Sequence, residues 1–175
     1  MLRLFLILSL SIFLQSLSAK SWEPVYAPFD SLAVKCERDM DNFARSERCK
    51  AYIKSMYAIA REHRKKRVLM WRAMYWDAFW MWKYSQQNSA ESLARKAITL
   101  VDTIRYEYDY RRLERLIINC TAGNMTYFEA YKAYHKQLCY LEKVDDTINI
   151  ANTCVTIGTI FQQLGEHNKA IRLFE

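Results

Sequence analysis

Glycine and proline are nearly missing from this chain: three glycines and two prolines among 175 residues. Barrels, sandwiches and doubly wound sheets use both residues wherever the chain reverses, so a sequence this poor in them has little from which to build tight turns. Ala, Leu, Met, Lys, Arg and Glu, which lose least on entering a helix, are plentiful instead. With 51% of residues hydrophobic and 26% charged, the chain is globular in composition and long enough for a real core. The sequence therefore predicts an all-α fold.

The first residues, MLRLFLILSLSIFLQSLSAKSW, carry a basic residue at Arg3, an apolar run from Leu4 to Leu14, and small residues at Ser16, Ser18 and Ala19. That is the three-part pattern of a secretory signal peptide cut near Ala19, and the apolar run is about half the ~20 residues of a membrane span. An uncleaved anchor is the alternative. Export makes disulfides available to Cys36, Cys49, Cys120, Cys139 and Cys154. Their number is odd and no C-x-x-C pair occurs, so they read as buried small hydrophobes, with a Cys120 to Cys139 bridge as the candidate exception. Net charge is +7. Its densest stretch, REHRKKR from Arg61 to Arg67, reads either as an anion-binding site or as a solvated corner between helices, and the second suits an exported chain better.

Helical periodicity continues along the chain. A lead-in with Pro24 and Pro28 precedes a helix capped by Asp30 or Ser31 and running to about Ala44. A second helix opens at Ser46 and carries Ile53, Met56, Tyr57 and Ala60 at helical spacing. The third, Leu69 to Tyr84, holds Trp71, Trp76, Trp80 and Trp82 and is apolar on almost every side, so it is a core helix between neighbours. Arg72, Asp77 and Lys83 argue against lipid around it. Asn88 or Ser89 caps a fourth, with Leu93, Ala94, Ala97, Ile98 and Val101 in one stripe. The helices RRLERLIINCTA and TYFEAYKAYHKQLCYLEKV follow, separated by GNMT with Thr126 as cap, and then Thr147 to Leu164 and EHNKAIRLFE.

The closing stretch resembles the tetratricopeptide repeat (TPR) family, whose 34-residue pattern is W-x2-L-G-x2-Y, then A-x3-F, then P. Cys154 stands in the Trp place, Ile157 in the Leu place, Gly158 is the motif Gly and Phe161 replaces the Tyr. Leu164 and Gly165 close the first helix, and Ala170 with Phe174 supplies A-x3-F. Carried upstream, the frame sets Ala130 and Tyr134 in a register over 111–144, with Ile118 at the Gly position. It sets Ala94 and Ile98 in one over 75–108, with Trp82 at the Gly position. The organisation expected is a signal peptide over 1–19, a helical layer over 20–68, and degenerate TPR-like repeats over 69–175, stacked as an α-solenoid. In a 34-residue unit the last helix runs about nine residues past Glu175. The chain thus reads as the N-terminal piece of a longer protein, with Phe161, Ile171 and Phe174 left without a covering neighbour.

No catalytic, cofactor or metal motif is present. The glycines cannot form a phosphate-cradling loop, there is no G-x-S-x-G elbow, and His63, His135 and His167 lie far apart. His135 and Cys139 share a helix face, but two ligands do not make a zinc site. The triplets Asn119-Cys120-Thr121 and Asn124-Met125-Thr126 match the glycosylation pattern and read as chance. The resemblance implies a concave groove lined by the first helices of the repeats. Its positions here are Trp76, Phe79, Lys83, Gln86 and Gln87, then Arg112, Arg115 and Asn119, then Asn152, Val155, Thr159, Gln162 and Gln163. Lys83, Arg112 and Arg115 would suit a carboxylate-bearing peptide. The expected function is a non-enzymatic, exported module binding a protein or peptide, or itself, with no nucleic acid involved and no membrane contact beyond the leader or a later span. It resembles the periplasmic N-terminal region of repeat-bearing signalling proteins of the Bacteroidota type. The alternative is a secreted small-ligand binder that uses the Trp-rich helix.

Overall fold

The computed structural model describes residues 24–40 and 46–175, so the leader over 1–19 and the far end of the first expected helix lie outside the described residues. Among the described residues the fold is all-α, with eight helices. They are α1 (Ala27–Met40), α2 (Ser46–Glu62), α3 (Arg67–Lys83), α4 (Gln87–Ile98), α5 (Glu107–Thr121), α6 (Tyr127–Lys143), α7 (Thr147–Gln163) and α8 (His167–Phe174). Consecutive helices pack antiparallel as hairpins within two compact units, Glu23–Asn124 with α1 to α5, and a second whose described residues are Met125–Glu175, with α6 to α8. None of these helices is long and apolar enough to cross a membrane.

The helix starts keep time. Ala27, Arg67, Glu107 and Thr147 open the odd-numbered helices at intervals of 40 residues, and Gln87, Tyr127 and His167 open the later even-numbered ones at the same interval. The fourth residue of each even-numbered helix is small and buried: Cys49, Ala90, Ala130 and Ala170. A small side chain there lets the helix approach its partner closely. The upstream register accordingly shifts by one turn. Ala90, not Ala94, is the counterpart of Ala130 and Ala170; Ala94, not Ile98, is the counterpart of Tyr134 and Phe174; and the buried Ala78, not Trp82, corresponds to Gly158. Ala94 is itself buried and Ile98 half-buried. The period is longer than 34 residues because the connections differ: α3, its turn and α4 fit within 67–98, and the connection over 99–106 carries the chain on to α5 at Glu107.

Three turns are built alike. Ser85, Asp145 and Gly165 adopt positive φ of 64°, 55° and 76° just beyond α3, α6 and α7. After each, an N–H reaches back five residues to a carbonyl: Gln86 to Met81 at 2.8 Å, Asp146 to Leu141 at 3.1 Å and Glu166 to Phe161 at 2.9 Å. This is the Schellman arrangement, which satisfies carbonyls that a helix end would otherwise leave bare. Gly165 thus closes the α7–α8 turn. Thr126 caps α6 as expected, its hydroxyl accepting from the Glu129 N–H while Glu129 accepts from the Thr126 N–H at 2.9 Å. The starts of α1 and α4 differ from the caps expected there. Asp30 lies inside the first turn of α1, where its carboxylate accepts the Val25 and Tyr26 N–H groups at 2.9 Å each. Neither Asn88 nor Ser89 caps α4, which begins one residue before Asn88 with Gln86 at the cap position and no side-chain bond.

The aromatic helix is the core of the first unit. α3 packs against each of the other four helices there, which is why apolar side chains surround it. Leu69, Trp71, Ala73, Tyr75, Trp76 and Ala78 are all buried along it.

Candidate functional site

Among the described residues, two regions carry groups that could serve a site, one in each unit. In the first, α3 also buries a charge. Arg72 is 1% exposed, pairs with Asp109 of α5 at 3.1 Å and reaches Asp30 of α1 at 3.9 Å. Its guanidinium lies 5.4 Å and 6.0 Å from the rings of Trp71 and Tyr106. One cation thus ties three helices through charge and ring faces together. From the sequence Arg72 is only an obstacle to lipid, because α5 begins four residues before the expected start at Arg111 and Asp109 falls in that extra turn.

Beside this cluster lies a cavity of about 740 Å³. Lys65, Lys66 and Arg67 reach it from the α2–α3 turn, Arg105 comes from the α4–α5 connection, and Trp71 and Tyr106 line it. Those two rings meet edge to face with centroids 5.6 Å apart. Lys66 Nζ sits 4.9 Å from the Tyr26 ring. The lining carboxylate, Asp102, spends one oxygen on the N–H groups of Ile104 and Arg105 at 3.1 Å and 3.2 Å. The basic run Arg61–Arg67 is therefore a corner between helices that also borders a cavity, and the folded chain brings Arg105 to it from 38 residues beyond Arg67.

The groove positions expected in this unit are not all surface. Trp76 is 1% exposed and belongs to the core, because α3 has neighbours on every side. Phe79 is half-buried, stacked on Tyr75 with centroids 5.9 Å apart. Lys83, Gln86 and Gln87 are exposed. Arg112 donates to the Tyr75 hydroxyl at 3.3 Å and lies 5.0 Å from that ring, so its charge is engaged by the aromatic layer. Arg115 and Asn119 are half-buried.

In the second unit, Asn152, Val155, Thr159, Gln162 and Gln163 are exposed on α7. Other residues of that helix are packed. Ile157 is 2% exposed, and a Cβ built on Gly158 would stand 2.4 Å from Cε1 of Phe174. Ala130, Tyr134 and Ala170 are buried, and Phe161 is half-buried against Tyr131 at 5.4 Å between centroids. Leu164, Ile171, Phe174 and Val155 remain about half exposed.

All five cysteines are thiols. The Cys120 to Cys139 bridge is absent: Cys120 is buried in the first unit, while Cys139 is exposed in the second, its sulfur 3.8 Å from Nδ1 of His135 on its own helix. No three His, Cys, Asp or Glu side chains come together as metal ligands among the described residues. No family model matches the sequence, and neither the curated proteins nor the solved structures yield one similar to it.

Proposed function

We propose that this chain is an exported, non-catalytic TPR-like module that mediates protein interaction, as the N-terminal sensor or scaffold part of a longer signalling protein. The observation that carries the reading is the exposure, in the second unit, of Val155, Leu164, Ile171 and Phe174, together with the polar row Asn152, Thr159 and Gln162 on α7. Apolar side chains of this size held half in water on successive helices are what a peptide or a further helix covers. The test is a photo-crosslinking residue placed at Thr159 or Ile171, with sedimentation of the unmodified chain. Crosslinks to a defined peptide of a partner or of a second copy, lost on Ile171→Ser with Phe174→Ser, support the reading. A chain that sediments as a monomer and crosslinks to nothing at either position refutes it.

The cavity favours a second reading, a small-ligand binder that uses Trp71 of the aromatic helix. Four cations, one engaged carboxylate and two ring faces would select a small planar anion. Titration with an aromatic carboxylate and, separately, with inorganic phosphate decides it. A Trp fluorescence change removed by Lys65→Ser with Arg67→Ser supports this reading, and no saturable change with either probe rejects it.

A further inference from the structure

Cys36 and Cys49 meet across the first hairpin. Each is 0% exposed, and the Cys49 thiol donates to the Cys36 carbonyl oxygen at 3.6 Å. Cys49 holds the fourth position of α2, where α4, α6 and α8 place Ala90, Ala130 and Ala170. A small, buried residue recurs at that position, and here its sulfur is set against the backbone of α1. We infer that Cys36 and Cys49 are the two halves of an intramolecular disulfide that ties α1 to α2 when the chain folds in the presence of a disulfide oxidant.

The chemistry balances with a small-molecule disulfide such as oxidised glutathione. One cysteine thiolate attacks a glutathione sulfur, the S–S bond breaks and a glutathione thiolate leaves. The second cysteine thiolate attacks the mixed disulfide and expels the other glutathione. Two protein thiols are oxidised and one external disulfide is reduced to two thiols. The closed hairpin suppresses this exchange. Burial first, and then the Cys49 thiol beside it, push the Cys36 thiol far above its ordinary value, and burial raises Cys49 as well. Both thiols are also fully buried, so the folded state offers an oxidant little access to a thiolate. The bond therefore forms while the hairpin is still open, and closure then shelters it from reductant. An oxidising surrounding is where such a bond persists. The inference stands in vitro whether or not the chain is exported.

The experiment refolds the reduced full chain with an oxidised and reduced glutathione mixture, or with dithiothreitol alone, then alkylates in denaturant and maps the peptides. The expected result is one linked pair, Cys36 to Cys49, with Cys120, Cys139 and Cys154 alkylated. Recovery of Cys36 and Cys49 both alkylated, or either joined to another cysteine, overturns the inference and leaves them as small core residues. A second readout is stability: the bridged chain should unfold with an equilibrium constant lower by about a hundredfold, the effect of closing a loop of this length. The double variant Cys36→Ala with Cys49→Ala should lose that oxidant-dependent gain. A gain that persists in the variant also overturns the inference, and the wild-type peptide map decides even if the variant fails to fold.

Discussion

At Gly158 the missing side chain is occupied by a neighbour. The Phe174 ring fills the space where a Cβ would stand, with its three nearest carbons at 2.4, 2.8 and 3.1 Å. Gly158→Ala would gain about 1 kcal/mol of helix propensity and lose roughly as much by displacing a half-exposed ring. It should therefore be close to neutral in the wild type and stabilising by about 1 kcal/mol in a Phe174→Ala background. Equal effects in both backgrounds, measured by urea unfolding, would deny the contact. Asp77 is a second case. Burial raises its carboxyl above the ordinary value, against the opposing effect of the Tyr57 hydroxyl, which donates to it at 3.1 Å. A raised folded pKa means that the ionised form costs stability at neutral pH, and that this cost fades as pH falls through the raised value towards the unfolded one. Asp77→Asn should thus stabilise at pH 7, with the advantage shrinking towards about pH 4. A pH-independent difference in unfolding midpoint would contradict that assignment.

At the scale of elements, Arg72 and the hairpin turns decide how helices are held. Arg72→Met leaves Asp109, 4% exposed, without its guanidinium, and should cost about 3 kcal/mol in chemical denaturation. Adding Asp109→Leu should return most of that loss, because the carboxylate left bare by Arg72→Met is then gone too. If the double variant is worse than the single, the pair is not what joins α3 to α5. The turns make a different prediction. Ser85 pays the steric cost of positive φ that Gly165 avoids, so Ser85→Gly should stabilise by roughly 0.5 kcal/mol after the entropy of the unfolded chain is deducted. Asp145→Gly should gain less, since Asp tolerates this conformation better than Ser. A loss of stability in Ser85→Gly, read from thermal unfolding, would show that the hydroxyl matters more than the backbone.

For the molecule as a whole, the export reading makes its own prediction: expressed with its first 19 residues in a secreting host, the chain should be recovered with Lys20 at its N-terminus, as N-terminal sequencing would show. Recovery with Met1 intact would point to the uncleaved alternative. Much of the fold was legible beforehand. Helical class follows from the scarcity of glycine and proline, the burial of α3 from its apolar residues on all sides, and the α7–α8 contact from Gly158, Ala170 and the A-x3-F spacing, because these are local properties of side chains set at 3.6 residues per turn. What the tertiary structure alone decided are the pairings between distant positions: Arg72 with Asp109, Arg105 brought beside Lys65 and Arg67, Cys49 against Cys36, and the 40-residue beat that puts Ala90 in the place assigned to Ala94. A helical period fixes which face of a segment is apolar, but not which turn of that face meets its neighbour. That choice is made where small residues allow the closest approach, and only the packed helices reveal it.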